Sequence, residues 1–204
     1  EPFEILGEVY GKEERAQELI AYMDGVKEDL NMRIAGVPEE EKPTVYVGGV
    51  SFQGTHGFDG TEAGYGPLKA IGAKNLADET GQTGPFNIEL EKVLAWDPDV
   101  IFLDYNGLDL IQEDYASNSE YYEQLTAVQK GNIYSQISFR SYASNLDLAL
   151  ADTYYAASVL YPEQFADIDM KEKVSEIFET LLGDDISEEL EEHGYEFGQI
   201  TIGK

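Results

Sequence analysis

The stretch Asn87 to Tyr105, NIELEKVLAWDPDVIFLDY, limits the fold of this chain more than any other part of it. It reads as a short amphipathic helix ending at Asp97-Pro98, a turn, and the apolar run Val100 to Leu103. A helix that feeds a buried strand through Asp-Pro-Asp is half of a parallel α/β repeat. Folds of that class keep their ligands at the carboxyl ends of their strands. The strand empties into Asp104, Tyr105, Asn106 and Gly107, which marks where function is expected.

The flanking segments extend the same pattern. Thr44 to Val50 (TVYVGGV) is β-branched and aromatic and predicts a strand, followed by a glycine-rich loop, Ser51 to Gly66. Pro67 to Ile71 predicts a short helix closed by Gly72. A polar helical stretch covers Leu108 to Leu125, and Lys130-Gly131-Asn132 turns the chain into the strand Ile133 to Ile137. Asn145 is placed to N-cap a helix from Leu146 to Tyr161, which Pro162 stops. A further helix, Met170 to Leu182, ends at Gly183, and Asp184 to Glu192 reads as a solvated helix face. Gln199 to Ile202 is too short to read. Three strands with crossovers of ten or more residues predict a parallel sheet with right-handed connections.

Ahead of this unit, Ala16, Leu19, Ile20, Met23, Val26, Leu30 and Ile34 recur at steps of three and four. They predict one long amphipathic helix from Lys12 to Ala35, with Gly25 as a bend or a close contact. The segment Pro38 to Pro43 is a polar linker and the best boundary in the chain. The helix before it is expected to stand outside the α/β unit.

Composition removes several functions. The 204 residues suffice for one domain with a sizeable core, and no apolar run approaches the length of a membrane span. The charge of -28, from 41 acids against 13 bases, argues against nucleic acid and against anionic lipid. The absence of cysteine excludes disulfides, cysteine-zinc sites and thiol catalysis. His56 and His193 are the only histidines, too few for a multi-histidine zinc site. No nucleophile elbow, phosphate loop or dinucleotide fingerprint is present, and no motif for a carboxylate-bound cation is seen. Glu1-Pro2-Phe3-Glu4 lacks the layout of a signal peptide, so either the protein is cytosolic or its targeting segment lies upstream.

Three loops should meet at the carboxyl edge of the sheet. The first carries Phe52, His56, Phe58 and Tyr65 among glycines, the second Tyr105, and the third Ser138-Phe139-Arg140-Ser141-Tyr142. Arg140 is the only arginine after Arg33. Aromatic walls with one guanidinium suit a flat or bulky ligand bearing carboxylate or other anionic groups. Two bland readings stand beside this one: Arg140 as the partner of a nearby acid, and His56 as a solvated turn residue.

At this point the residues resemble a known family, the substrate-binding proteins of iron-siderophore, haem and cobalamin ABC importers. The likeness is carried by Gly11-Lys12 with Arg15-Ala16, Lys42 through Tyr46, Ile71 through Asp78, Glu91 through Ile101, Leu125 through Tyr134 and Leu160 through Phe165, in that order and spacing. The resemblance implies a three-layer, Rossmann-like α/β lobe with a mainly parallel sheet, preceded by a long inter-lobe helix. Residues 1–37 would be that connecting helix and residues 38–204 the C-terminal lobe of a two-lobe protein whose N-terminal lobe is missing here. It further implies a non-enzymatic, extracytoplasmic receptor that holds a ferric chelate, haem or cobalamin between its lobes, with no intrinsic cofactor. Phe52, His56, Tyr65, Tyr105, Arg140 and Tyr142 would face the ligand, and Glu91 would dock onto an ABC permease in the membrane. Solvation explains Glu91 equally well. The alternative class is a cofactor-binding α/β enzyme domain that uses the same strand-end loops.

Overall fold

The computed structural model describes residues 2–140 and 143–203. Helix α1 (Pro2–Tyr10) and helix α2 (Glu13–Ile34) come first, so residues 1–37 hold two helices rather than one. The break falls at Gly11, whose φ of +62° ends α1 in the left-handed conformation that glycine adopts without strain. The two helices pack closely because Gly7 lacks a side chain; a Cβ there would lie 2.6 Å from the Ala16 Cβ. Gly25 neither bends α2 nor lies against anything.

Strand β1 (Thr44–Gly48), strand β2 (Gly60–Ala63), helix α3 (Gly66–Ala70), strand β3 (Lys74–Asn75) and strand β4 (Gly84–Asn87) follow. Then come α4 (Leu90–Trp96), β5 (Val100–Asp104), α5 (Tyr105–Tyr122), α6 (Thr126–Lys130) and β6 (Ile133–Gln136). The chain finishes with α7 (Leu146–Leu160), α8 (Met170–Leu182) and α9 (Ser187–Glu192). Asn145 stands at the N-cap of α7 as expected, but its side chain makes no capping bond. Asp169 does cap α8, accepting from the Lys171 and Glu172 amides.

The main sheet is parallel throughout, in the order β3-β1-β5-β6. Val45 pairs with Val100 and Gly48 with Leu103; Ile101 pairs with Ile133 and Asp104 with Gln136. Alternate residues serve two cores. Val45, Val47, Val100 and Phe102 join a core with α2, α3, α7 and α8. Tyr46, Ile101 and Leu103 join a second core with α4, α5 and α6. Burial on both faces explains why these strands are apolar at every position rather than at every second one. Each fully buried aromatic or branched side chain contributes roughly 1.5–3 kcal/mol.

Helix α2 does not stand clear of the α/β unit. Val26 and Leu30 enter the first core, and Tyr154 donates from its hydroxyl to Asp29 Oδ2 at 2.9 Å. The Arg33 guanidinium donates to Asp167 Oδ1 and Oδ2 at 2.6 and 3.0 Å and to the Gln164 carbonyl at 2.8 Å.

The sequence reading missed a second, antiparallel sheet of β2 and β4, in which Gly60 pairs with Asn87 and Ala63 with Gly84. It also left Gln199 to Ile202 unread. Gln199 forms an antiparallel bridge to Tyr134, the Ser135 amide donates to the Gly198 carbonyl at 2.9 Å, and the Ile200 amide donates to the Ile133 carbonyl at 2.8 Å.

Candidate functional site

A parallel sheet exits along one edge, and here β1, β5 and β6 deliver Gly49, Tyr105 and Ile137 to it. The loop after β1 crosses the first turn of α5 so closely that only glycines fit. A Cβ on Gly107 would sit 2.4 Å from the Gly49 Cα, and Gly49 itself has φ +80°. The crossing accounts for Gly49, while a Cβ on its neighbour Gly48 would press on the Phe58 and Tyr46 rings at 3.1 and 3.2 Å. Phe58 then anchors the loop rather than facing a ligand: it is buried in the second core and its carbonyl accepts from the Tyr46 hydroxyl at 2.6 Å.

An open cleft of about 750 Å³ lies on this edge. Ser51, Phe52, Gln53, Gly54 and Thr55 form one wall, Arg140, Ala143 and Ser144 another, with Asn106 and Pro85 completing it. Pro85 arrives on β4, so the missed hairpin supplies part of the wall. Gln53, at φ +51°, turns the tip of the first wall. Beneath the cleft is a void of about 10 Å³, lined by Val50, Ser51, Glu62, Tyr65, Asp104, Phe139 and Arg140. That is about the volume one water needs.

The candidate residues separate into groups. Phe52 and Arg140 line the cleft. His56 lies behind Phe52, its ring stacked at 3.9 Å and 7°, and its Nε2 donates to the Phe52 carbonyl at 2.8 Å. Tyr65 is 1% exposed and sits in the void, edge-on to Phe139 at 5.5 Å. Its hydroxyl has no hydrogen-bond partner among the described residues, and burial pushes its ionisation well up. Tyr105 points to the C-terminal segment, where its hydroxyl donates to the Glu196 carbonyl at 2.8 Å and its ring meets Tyr195 edge-on. Tyr142 lies outside the described residues. Glu91 is exposed in the first turn of α4, away from the cleft, where a helix N-terminus favours a carboxylate.

The sequence reading named no partner for Arg140. The structure supplies Glu62, on β2, whose Oε2 accepts from Arg140 Nη1. The guanidinium also lies over the Phe139 ring at 4.9 Å. Glu62 is itself held by its backbone, since Asn75 Nδ2 donates to the Glu62 carbonyl at 2.9 Å.

Two further acids lie below. Asp104 Oδ1 accepts from Ser138 Oγ and from the Asn106 amide at 3.0 Å. Burial pushes its carboxyl up to about 6 against the pull of those two bonds and of Arg140. Asp152, on α7, is wholly buried, and burial pushes it well above the carboxylate range; its Oδ1 accepts from the Ile137 amide at 2.8 Å. Asp104 ends an apolar run and could be read from sequence. Glu62 and Asp152 carried no such signal among 41 acids. Among the described residues no group of three or more metal-ligating side chains comes together.

The fold is an α/β lobe with a parallel sheet and an open cleft at its strand ends. The chain belongs to the periplasmic binding protein family, whose signature matches residues 1–136. Among solved structures it is similar to a periplasmic solute-binding protein of Veillonella parvula DSM 2008, with 18% identity over 92% of this chain and 57% of that one, at a TM-score of 0.71. It is also similar to the molybdate-bound protein MolA of Haemophilus influenzae, with 19% identity over 90% and 55% and a TM-score of 0.69. An ABC transporter solute-binding protein of Sulfurospirillum deleyianum DSM 6946 gives 22% over 93% and 59%, also at 0.69. At these identities the likeness is one of fold. The chain spans somewhat over half the length of each of these structures. No curated protein matches it.

Proposed function

We propose that this chain is the second lobe of an extracytoplasmic receptor of an ABC importer, a non-enzymatic protein that captures a metal chelate. The ligand class is a ferric siderophore, haem or a corrinoid, held between this lobe and a first lobe, with α2 as the connection. Residues 1–37 would then join the lobes and residues 38–204 form the C-terminal lobe. The observation that carries the reading is the cleft at the carboxyl edge, about 750 Å³ and walled by Phe52, Arg140 and small polar side chains. That volume matches a ligand of drug size or larger, and its open side leaves room for an opposing wall. The solved relatives support the coarse reading: MolA holds molybdate, and a Helicobacter pylori protein of the same fold, CeuE, was solved with Ni(II) bound. Glu91, exposed at the start of α4, is our candidate contact to the membrane permease.

The test uses the full-length protein, titrated with ferric siderophores, haem and cobalamin and followed by calorimetry or by Trp96 fluorescence. At least one should bind, and Arg140→Ala should weaken it about tenfold or more, through loss of hydrogen bonds to a charged group. If none binds, the receptor reading fails. Unchanged affinity in Arg140→Ala would move the site elsewhere.

A further inference from the structure

The receptor reading leaves the charge of the ligand open, and the floor of the cleft bears on it. Arg140 is the only charged residue lining the cleft among the described residues. A guanidinium so placed would ordinarily recruit a carboxylate or an oxyanion through paired N–H donors. Here its charge is already met. Nη1 donates to Glu62, whose side chain is 5% exposed and sits in a wholly buried strand. Register with β4 and the bond from Asn75 hold the Glu62 backbone in place beside Arg140. The remaining N–H groups of Arg140 make no hydrogen bond among the described residues and can donate to neutral oxygens.

Asp104 lines the same small void as Glu62. Its carboxyl, pushed up to about 6, is mostly ionised at neutral pH, while Asp152 is pushed toward its neutral form. Two carboxylates therefore stand against one guanidinium in the floor. The walls, through Ser51, Phe52, Thr55, Asn106 and Ser144, add no charge. The chain as a whole, at -28, carries a negative potential that a low-dielectric cleft focuses.

We infer that the cleft selects neutral or cationic metal chelates over anionic ones, with Glu62 compensating and positioning Arg140 so that it acts as a hydrogen-bond donor rather than as an anion trap. This rests on the receptor reading and narrows it. The sequence alone, which offered Arg140 both as a ligand contact and as the partner of an unnamed acid, pointed to anionic groups on the ligand.

The experiment is a charge series on one skeleton. The full-length protein is titrated with a linear ferric trihydroxamate whose terminal amine is free, acetylated or succinylated, giving cationic, neutral and anionic chelates of like shape. Cobalamin, a ferric tris-catecholate, haem and molybdate are run beside them. The tightest ligand should be cationic or neutral, with the succinylated chelate about tenfold weaker than the free amine at moderate salt. Glu62→Gln should move that ratio about tenfold toward the succinylated chelate, a change that simple loosening of the fold would not produce. If an anionic ligand binds tightest, the inference is overturned and the receptor reading stands. If nothing binds, both fall. Should Glu62→Gln fail to fold, the series on the unaltered protein still decides.

Discussion

The two edges of the main sheet are built on opposite terms. At the amino edge, Asp97 and Asp99 flank Pro98 and are fully engaged. Asp97 accepts from the Thr126 amide and hydroxyl at 2.7 and 2.6 Å, and Asp99 Oδ2 accepts from the Thr44 amide and hydroxyl at 2.8 and 2.7 Å. At the carboxyl edge, Glu62, Asp104 and Asp152 are buried, and Tyr65, Gln136 and Asp152 keep polar atoms without partners among the described residues. One edge places its carboxylates where water and donors satisfy them and so fastens β1 and α6 to the turn. The other holds carboxylates where burial works against their charge. That arrangement costs stability and persists where a site needs it.

The comparison can be broken by substitution. The largest effect is expected at the crossing on the carboxyl edge. Gly107→Val would drive a side chain into the Gly49 backbone and should lower stability by about 3 kcal/mol or more, read by denaturant unfolding. A tolerated valine would mean that the crossing is not rigid.

Next comes Asp104→Asn. Its folded carboxyl lies near 6, above the ordinary 3.8, so the folded state holds the proton more tightly than the unfolded one. The stability this gives is fully present below the ordinary value and is lost as pH rises toward 6. The asparagine, which still accepts from Ser138 and Asn106, should thus match the native protein near pH 4 and exceed it by up to about 3 kcal/mol above pH 6. A variant that is less stable throughout that range would show that the Asp104 charge is satisfied, and the contrast between the edges would collapse.

The smallest effect belongs to the amino edge. Asp99→Ala should cost about 1–2 kcal/mol through loss of its bonds from Thr44, measured by thermal melts. A gain of stability in Asp99→Ala would invert the comparison.

Much of this architecture was legible in the chain. β1, β5 and β6 announced themselves because strands buried on both faces must be apolar throughout, and α2, α7 and α8 because their apolar spacing and their stops are local properties. The hairpin of β2 and β4 was not legible. Gly-Thr-Glu-Ala and Gly-Pro-Phe-Asn carry little strand preference, and their pairing across 20-odd residues is a tertiary fact. The site divides the same way. Phe52 and Arg140 could be placed from strand topology alone. Glu62 stands 78 residues from Arg140, and no spacing rule selects it from the other acids. Tyr105 follows the strand as expected, yet its hydroxyl turns to Glu196, a contact that depends on where the last residues of the chain fold.

Those last residues carry one more consequence. By bonding to Ile133, Tyr134 and Ser135, the stretch Gly198–Ile200 occupies the outer side of β6, which would otherwise present a row of free amides and carbonyls. A protein cut before Glu196 should retain its helices yet self-associate through strand addition at that side, seen as concentration-dependent sedimentation. A short stretch that resists reading as secondary structure thus covers the outer side of β6.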